Sequence, residues 1–272
     1  MIRPKQLAGI LTRERASWRL AQRTTTRDFI TFLTEQGELR EHKFALPHQS
    51  ETLYVWGELP TMELLLHLKP RSFYSHYTAL RLHGLTEQAP KVLYLSHERS
   101  GETLRSSTAL TQSAIDGAFQ QPARVSSNAA EFESLQVQLI NSANTGELGI
   151  LDHEVQLSAE TRVSVRATNV ERTLIDAAVR PAYCGGVFEV AKAFELAKNV
   201  VSVNTMGAML NKLRFTYPYH QAIGYYLERA GYRSSLLDLM RHFPMEFDFY
   251  LTHEMRATKY VAEWRLHVPE GF

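Results

Sequence analysis

The sequence predicts an α+β fold, and three observations predict it. Apolar residues recur at helical spacing in several capped segments and alternate at spacing two in several others. The helical segments gather after residue 168, whereas the alternating ones lie mostly before it. The first 58 residues read as a small unit, a helix followed by a β-hairpin in the order of a winged helix-turn-helix. Residues 59–272 read as a larger mixed α/β domain with a helical C-terminal half.

Element by element, TTTRDFITFLTEQGEL offers an N-cap among threonines 24–26, an apolar face of Phe29, Ile30 and Leu33, and a stop at Gly37. Arg27, Thr31 and Thr34 fall on the opposite face. KFALPHQSETLYVWG then reads as two short strands about the polar turn PHQSE. In a winged arrangement this helix enters the major groove and the hairpin is the wing. The upstream PKQLAGILTRERASWRLAQR supplies one or two earlier helices. MELLLHLKP is a short helix ended by Pro70, and Ser75 caps another with Ala79, Leu80 and Leu82 inward and Gly84 at its end. PKVLYLSHE is a strand. Residues 100–130, including RSSTALTQS and QPARVSSNAA, read as a loop-rich connection. ESLQVQLINS, GILDHEVQL and TRVSVRAT are strands.

From Thr168 the chain turns helical. Thr168 and Glu171 have the spacing of a capping box. Val170, Leu174, Ala177 and Ala178 share one face, and Arg172 and Asp176 pair on the other. Pro181 ends this helix, and Gly185-Gly186 turns the chain into the next. There, Val187, Val190, Ala191, Phe194 and Ala197 line one face. NTMGAMLNKL, YPYHQAIGYYLERAG and SSLLDLMRHFP are further helices, with Pro218 in a first turn and Gly231 just past an end. MEFDFYL and KYVAEWRLHVP close the chain as strands.

The composition is that of a globular chain: of 272 residues, 44% are hydrophobic and 22% charged, enough for a real core. No apolar run approaches the roughly 20 residues that span a bilayer. The start, MIRPKQLAGILTRERASWRL, lacks the apolar core and cleavage site of a signal peptide. Cys184 is the single cysteine, so an internal disulfide and a cysteine-built zinc site are excluded. A cytoplasmic location is expected. Residues 1–50 carry nine Lys and Arg against five Asp and Glu in a chain of net charge +1. That is either a nucleic-acid footprint or a solvated charged surface.

Candidate chemistry is sparse. The 11 histidines form no H-E-x-x-H and no zinc-type spacing, and Gly185-Gly186 lacks the Lys-Ser/Thr of a phosphate loop. No metal and no cofactor is expected. Cys184 lies near a helix N-terminus, a position that lowers a thiol pKa; the alternative is an inert cysteine. Asp152 and Glu154 lie on a strand with Gln156 where a restriction-type nuclease carries Lys. Asp176 is either half of a structural pair with Arg172 or a carboxylate facing a cleft. Phe73, Tyr74 and Tyr77 flank Ser75 and His76, and Tyr217, Tyr219 and His220 form a second aromatic cluster. Such rings stack bases or sit half-buried in a core.

TNVERTLIDAAVRPAYCGGVFEVAKAF resembles the characteristic segment of the AbiEi antitoxins of bacterial type IV toxin–antitoxin systems, which act in abortive infection. FYSHYTALRLHGL with PKVLYL, YPYHQAIGYYLERAGY and EWRLHVP are similar to other segments of that family, so the resemblance covers roughly residues 25–270. It implies an N-terminal winged helix that binds operator double-stranded DNA and represses its own operon. It also implies a C-terminal domain that neutralises a nucleotidyltransferase-like toxin without a direct complex. This sequence departs in its wing turn, which carries His48 and Glu51 rather than Arg or Lys.

Two functions of different class are therefore expected. The first is a DNA-binding, antitoxin-like protein of phage defence, with Arg23, Thr25, Arg27 and Thr31 at the DNA. The alternative is a DNA-acting enzyme of phage defence, a base-excising glycosylase or a nuclease, with Asp176, His76 and Tyr77 as its candidate catalytic residues. A domain that only docks a protein is a third possibility.

Overall fold

The structure, a computed structural model, describes residues 1–47, 49–89, 91–101 and 109–272. His48 of the wing turn, Pro90 and part of RSSTALTQS lie outside the described residues. The chain is α+β. Helices α1 (Pro4–Glu14) and α2 (Thr26–Glu35) precede the hairpin β1 (Leu39–Leu46) and β2 (Gln49–Trp56). Then come α3 (Thr61–Leu65), β3 (Phe73–Tyr74), α4 (His76–Leu82), β4 (Val92–Glu98) and α5 (Gln112–Gln120). Strands β5 (Ala129–Phe132), β6 (Leu135–Ser142), β7 (Ile150–Gln156) and β8 (Arg162–Thr168) follow. The helical half holds α6 (Val170–Val179), α7 (Val187–Leu196), α8 (Val203–Leu213), α9 (Tyr219–Arg229) and α10 (Ser234–Arg241). It closes on β9 (Phe249–Tyr250), β10 (Thr258–Val261) and β11 (Leu266–Pro269).

A mixed six-stranded sheet, β5-β6-β4-β3-β8-β7, organises the molecule. Side chains alternate across it. Tyr74, Leu95, Leu139, Val165 and Ala167 point to one face and pack against the hairpin and α3. The opposite face carries Phe73 and Tyr94 toward the helical half, whose core includes Tyr77, Leu174, Phe194, Tyr226 and Trp264.

The hairpin is two-faced. Residues paired across it point the same way. Leu39 and Tyr54 therefore join Leu7, Leu11 and Phe29 in a small core with α1 and α2. Phe44, Leu46, Leu53 and Val55 point oppositely and pack on the large sheet, with Phe44 stacked on Phe132 at 4.8 Å. The unit at 1–58 thus shares a core with the rest of the chain. Gln49, Ser50 and Glu51 belong to β2 rather than to the turn.

Several boundaries differ from expectation. Residues 100–130 contain α5, which the polar composition hides: Thr111 caps it by accepting from the Ala114 N–H, and Ile115 and Phe119, one turn apart, are both buried. The cap of α6 is Asn169, not Thr168: its Oδ1 accepts from the Arg172 N–H at 3.0 Å. Thr168 ends β8 and spends its hydroxyl on that of Thr173, and the Glu171 carboxylate accepts from the Ser202 N–H instead of closing a capping box. Helix α3 ends at Leu65, well before Pro70. KYVAEWRLHVP is two strands separated by a single 3-10 turn, Ala262–Trp264, with Arg265 left-handed at φ 46°. Gly186, at φ 93°, is the entry to α7 that no side-chain-bearing residue adopts comfortably.

Candidate functional site

Phe73, Ser96 and Ile140 are register neighbours across β3, β4 and β6, so their side chains rise side by side from the sheet face opposite the hairpin. They line a cleft of about 660 Å³. The carboxyl ends of the parallel strands β4 and β6 open into it, bringing Arg99, Asn141 and Ser142. Helix α6 supplies Arg172, Asp176 and Arg180, and the connection from α8 to α9 supplies Arg214 and an aromatic run from Phe215 to Tyr219. Arg124 and Ser126 complete the rim ahead of β5.

The electrostatics of this cleft are one-sided. Among the described residues five arginines line it, 99, 124, 172, 180 and 214, against one carboxylate, that of Asp176. Asp176 is already held: the Arg172 Nε donates to its Oδ1 at 2.8 Å, with Arg172 buried and Asp176 half-buried at the cleft. The Arg172 Nη1 also donates to the Leu148 carbonyl at 2.8 Å. The remaining four arginines are exposed at the rim. Arg180 donates to the Arg124 carbonyl at 3.0 Å and lies over the Tyr183 ring. The guanidinium groups of Arg99, Arg124 and Arg214 have no hydrogen-bond or ion-pair partner among the described residues.

His76 lies in the cleft wall, 6% exposed, at the first position of α4. Its backbone is left-handed, φ 50°, which costs a non-glycine residue on the order of 1 kcal/mol. Its Nδ1 shares a hydrogen bond with the Ser75 Oγ at 2.8 Å, and Ser75 Oγ meets Ser96 Oγ at 2.7 Å. Ser75 thus serves this relay rather than capping α4. Nε2 has no hydrogen-bond partner among the described residues. Burial pushes the imidazole down to about 4, against a smaller upward pull from Asp176, so it is neutral at pH 7. A neutral imidazole this hard to protonate is a poor general base at neutral pH but a sound hydrogen-bonding group.

This has a consequence for stability. Burial also holds His220 at about 4, against an ordinary value of 6.5 for both imidazoles. Below pH 6.5 the unfolded chain takes up protons that the folded chain refuses, so stability is complete above that pH and declines toward pH 4. We expect the melting temperature to fall steadily between pH 7 and 5, and the loss of unfolding free energy to reach on the order of a few kcal/mol at pH 4. His76→Asn, which tolerates the left-handed backbone, should flatten the slope. A melting temperature constant from pH 7 to 5 would contradict this account.

The candidate residues separate on inspection. His76 and Asp176 face one cleft, as do Phe73, Tyr217 and Tyr219 of the two aromatic clusters. Tyr77 does not line it: its hydroxyl donates to Glu189 of α7 at 3.2 Å. His220 stacks on Phe243 at 5.2 Å. Cys184 is fully buried, and burial pushes its thiol well up rather than down. Asp152, Glu154 and Gln156 are exposed on the edge strand β7. Among the described residues no group of three or more His, Cys, Asp or Glu could hold a metal ion. The rim arginines escaped sequence reasoning because they come from four unconnected segments.

The N-terminal unit presents a second surface. Most of its basic residues are occupied: Arg3 with Glu51, Arg13 with Glu14, Arg40 with Glu58 and Lys43 with Glu41. Arg15 donates to the carbonyls of Ala21, Gln22 and Thr24 and so builds the link between α1 and α2. Arg23, Arg27 and Thr31 are exposed, with Arg27 and Thr31 one turn apart on α2. Thr25 is exposed too, but its hydroxyl is the N-cap, accepting from the Asp28 N–H at 3.1 Å and donating to its carboxylate. Ile2 bridges Tyr54 of β2, adding a third stretch of extended chain beside the hairpin.

Comparison with known proteins gives fold information. No protein-family model matches the chain. No curated protein matches it. It is similar to a solved structure described as the crystal structure of RV2827C protein from Mycobacterium tuberculosis. The TM-score is 0.56 and the identity 13%, covering 98% of this chain and 85% of that one. The likeness shows a shared α+β fold along nearly the whole chain. Among the described residues no helix is long and apolar enough to cross a membrane.

Proposed function

We propose that this chain is a double-stranded DNA-binding protein whose residues 1–58 act as a winged helix, with α2 as the groove-reading element. The observation that supports it is the distribution of free charge. The other basic residues of α1 and the hairpin mostly sit in ion pairs, whereas Arg23 and Arg27 flank the start of α2 exposed and unpaired among the described residues. Phosphate contacts from these arginines would set the register, with Thr31 one turn further along the same face. The wing contribution is small, because one hairpin face is buried on the large sheet. Following the resemblance in its sequence, the chain acts in the cytoplasm as an antitoxin-like regulator in phage defence. The nucleotidyltransferase-like toxin is its counterpart.

A gel-shift titration with the chain's own upstream DNA, at several salt concentrations, tests this. Arg27→Ala is expected to weaken binding and to lower the slope of log K against log salt by about one. An affinity and slope equal to those of the unsubstituted protein would remove α2 from the interface.

A second reading, a DNA-acting enzyme, is favoured by one observation: His76 and Asp176 face the same cleft beside arginines. Tyr77 leaves that constellation. Strand breaks or alkali-labile sites that vanish in His76→Asn and Asp176→Asn would establish it. Intact strands under all conditions would leave the cleft without this chemistry.

A further inference from the structure

The cleft is too small for a duplex, and its lining is not that of a structural seam. The geometry points to a nucleotide-binding site in the cleft between the six-stranded sheet and α6, distinct from the duplex-binding surface and independent of it. Three observations converge. Arg99, Arg124, Arg180 and Arg214 approach the mouth from four segments, exposed, and among the described lining residues the one carboxylate is Asp176, which Arg172 already holds. Phosphate oxygens are the acceptors that planar guanidinium forks suit best.

Beside these charges stands an aromatic wall. Phe73 and Tyr183 are buried in it, while Phe215, Tyr217 and Tyr219 are only partly covered. Charge alone would bind any anion. Arginines next to partly covered rings select an anion that carries a flat, weakly polar body, as a nucleobase does. The Tyr183 ring is fixed: its hydroxyl accepts from the Ser126 N–H at 2.6 Å, and its face lies beneath Arg180.

The third observation is His76: its ring is more than nine-tenths buried, its Nε2 reaches the cleft with no partner among the described residues, and its other nitrogen is locked by the serine relay. An imidazole fixed in this way in a cleft wall offers a docked molecule one free ring nitrogen. A base edge or ribose hydroxyl supplies the missing partner. The volume of about 660 Å³ falls within the roughly 300–1,000 Å³ of small-molecule sites, and so suits a nucleotide.

The nucleotide can be free or the terminal unit of a strand, and the test separates them. The full chain would be titrated calorimetrically with ATP, GTP, CTP and UTP, with inorganic tripolyphosphate, and with a 5′-phosphorylated single-stranded tetranucleotide. At least one nucleoside-bearing ligand is expected to bind at least tenfold tighter than tripolyphosphate. Arg99→Ala and Arg180→Ala, both exposed and harmless to the core, should each weaken it about tenfold. Lys259→Ala, at an exposed residue that does not line the cleft, should leave it unchanged. A mononucleotide that outcompetes the tetranucleotide means a free nucleotide, and the reverse means a strand end; either supports the site. Tripolyphosphate binding as tightly as every nucleotide, binding indifferent to Arg99 and Arg180, or no binding at millimolar ligand would overturn it. Because the duplex gel shift is read separately, loss of either activity leaves the other interpretable.

Discussion

Replacing Arg172 by alanine is expected to destabilise the fold by about 3–5 kcal/mol, the cost of leaving one member of a buried ion pair alone. Arg172 is 5% exposed, and its guanidinium joins three parts of the structure: Asp176 on its own helix, the Leu148 carbonyl and the Thr145 hydroxyl. Without it, the half-buried Asp176 carboxylate is left unpaired in the cleft wall, and the Leu148 carbonyl loses its donor. Lysine should recover only part of the loss, because an ammonium cannot satisfy the carboxylate and the carbonyl with one planar fork. Replacing both partners, Arg172→Met with Asp176→Leu, should cost much less than either single change, since no charge is stranded. The measurement is the urea midpoint of each variant. A loss below about 1 kcal/mol for Arg172→Ala would mean that water already reaches the pair and that it is a surface bridge.

Trp264→Ala should cost a similar 3–5 kcal/mol through the cavity it leaves. The indole is fully buried, its Nε1 donates to Glu228 at 2.9 Å, and Arg241 lies over its ring at 5.1 Å. Its ring rests directly on the backbone of α9 at Gly224: a Cβ there would lie 2.1 Å from Cζ3. Gly224→Ala alone is therefore expected to destabilise by about 1–3 kcal/mol by forcing the ring away. In the Trp264→Ala background the same change should be neutral or stabilising by up to about 1 kcal/mol, because alanine is the better helix former once the obstruction is gone. This reversal of sign is the signature of direct coupling. Additive effects would show that Gly224 matters for some other reason.

Gly224 also illustrates what was legible. YPYHQAIGYYLERAG reads as a helix and forms one over Tyr219–Arg229, with Pro218 at its N-cap rather than in its first turn and Gly231 beyond its end. Its internal glycine is an unexplained weakness until the tryptophan forty residues later is seen to lie on it. The aromatic segments read similarly. Each cluster was visible alone, but only the sheet register places Phe73 opposite Ser96 and so aims it into the cleft that Tyr217 and Tyr219 line.

By itself the sequence determined the α+β class, the capped helix α2 with the hairpin behind it, and the apolar faces of α6 and α7. These are set by forces acting within a few residues: side-chain oxygens that satisfy orphan N–H groups, and apolar spacing that matches one helical or strand period. Only the tertiary structure decided what covers each face. It turned the outer face of the hairpin onto the large sheet, where a free wing was expected. It buried Arg172 against Asp176 in the cleft wall, and it gathered four arginines from separate segments around one cleft. The physical reason is that local periodicity reports which side of an element avoids water, whereas the partner it meets is chosen by packing and charge between segments far apart in the chain.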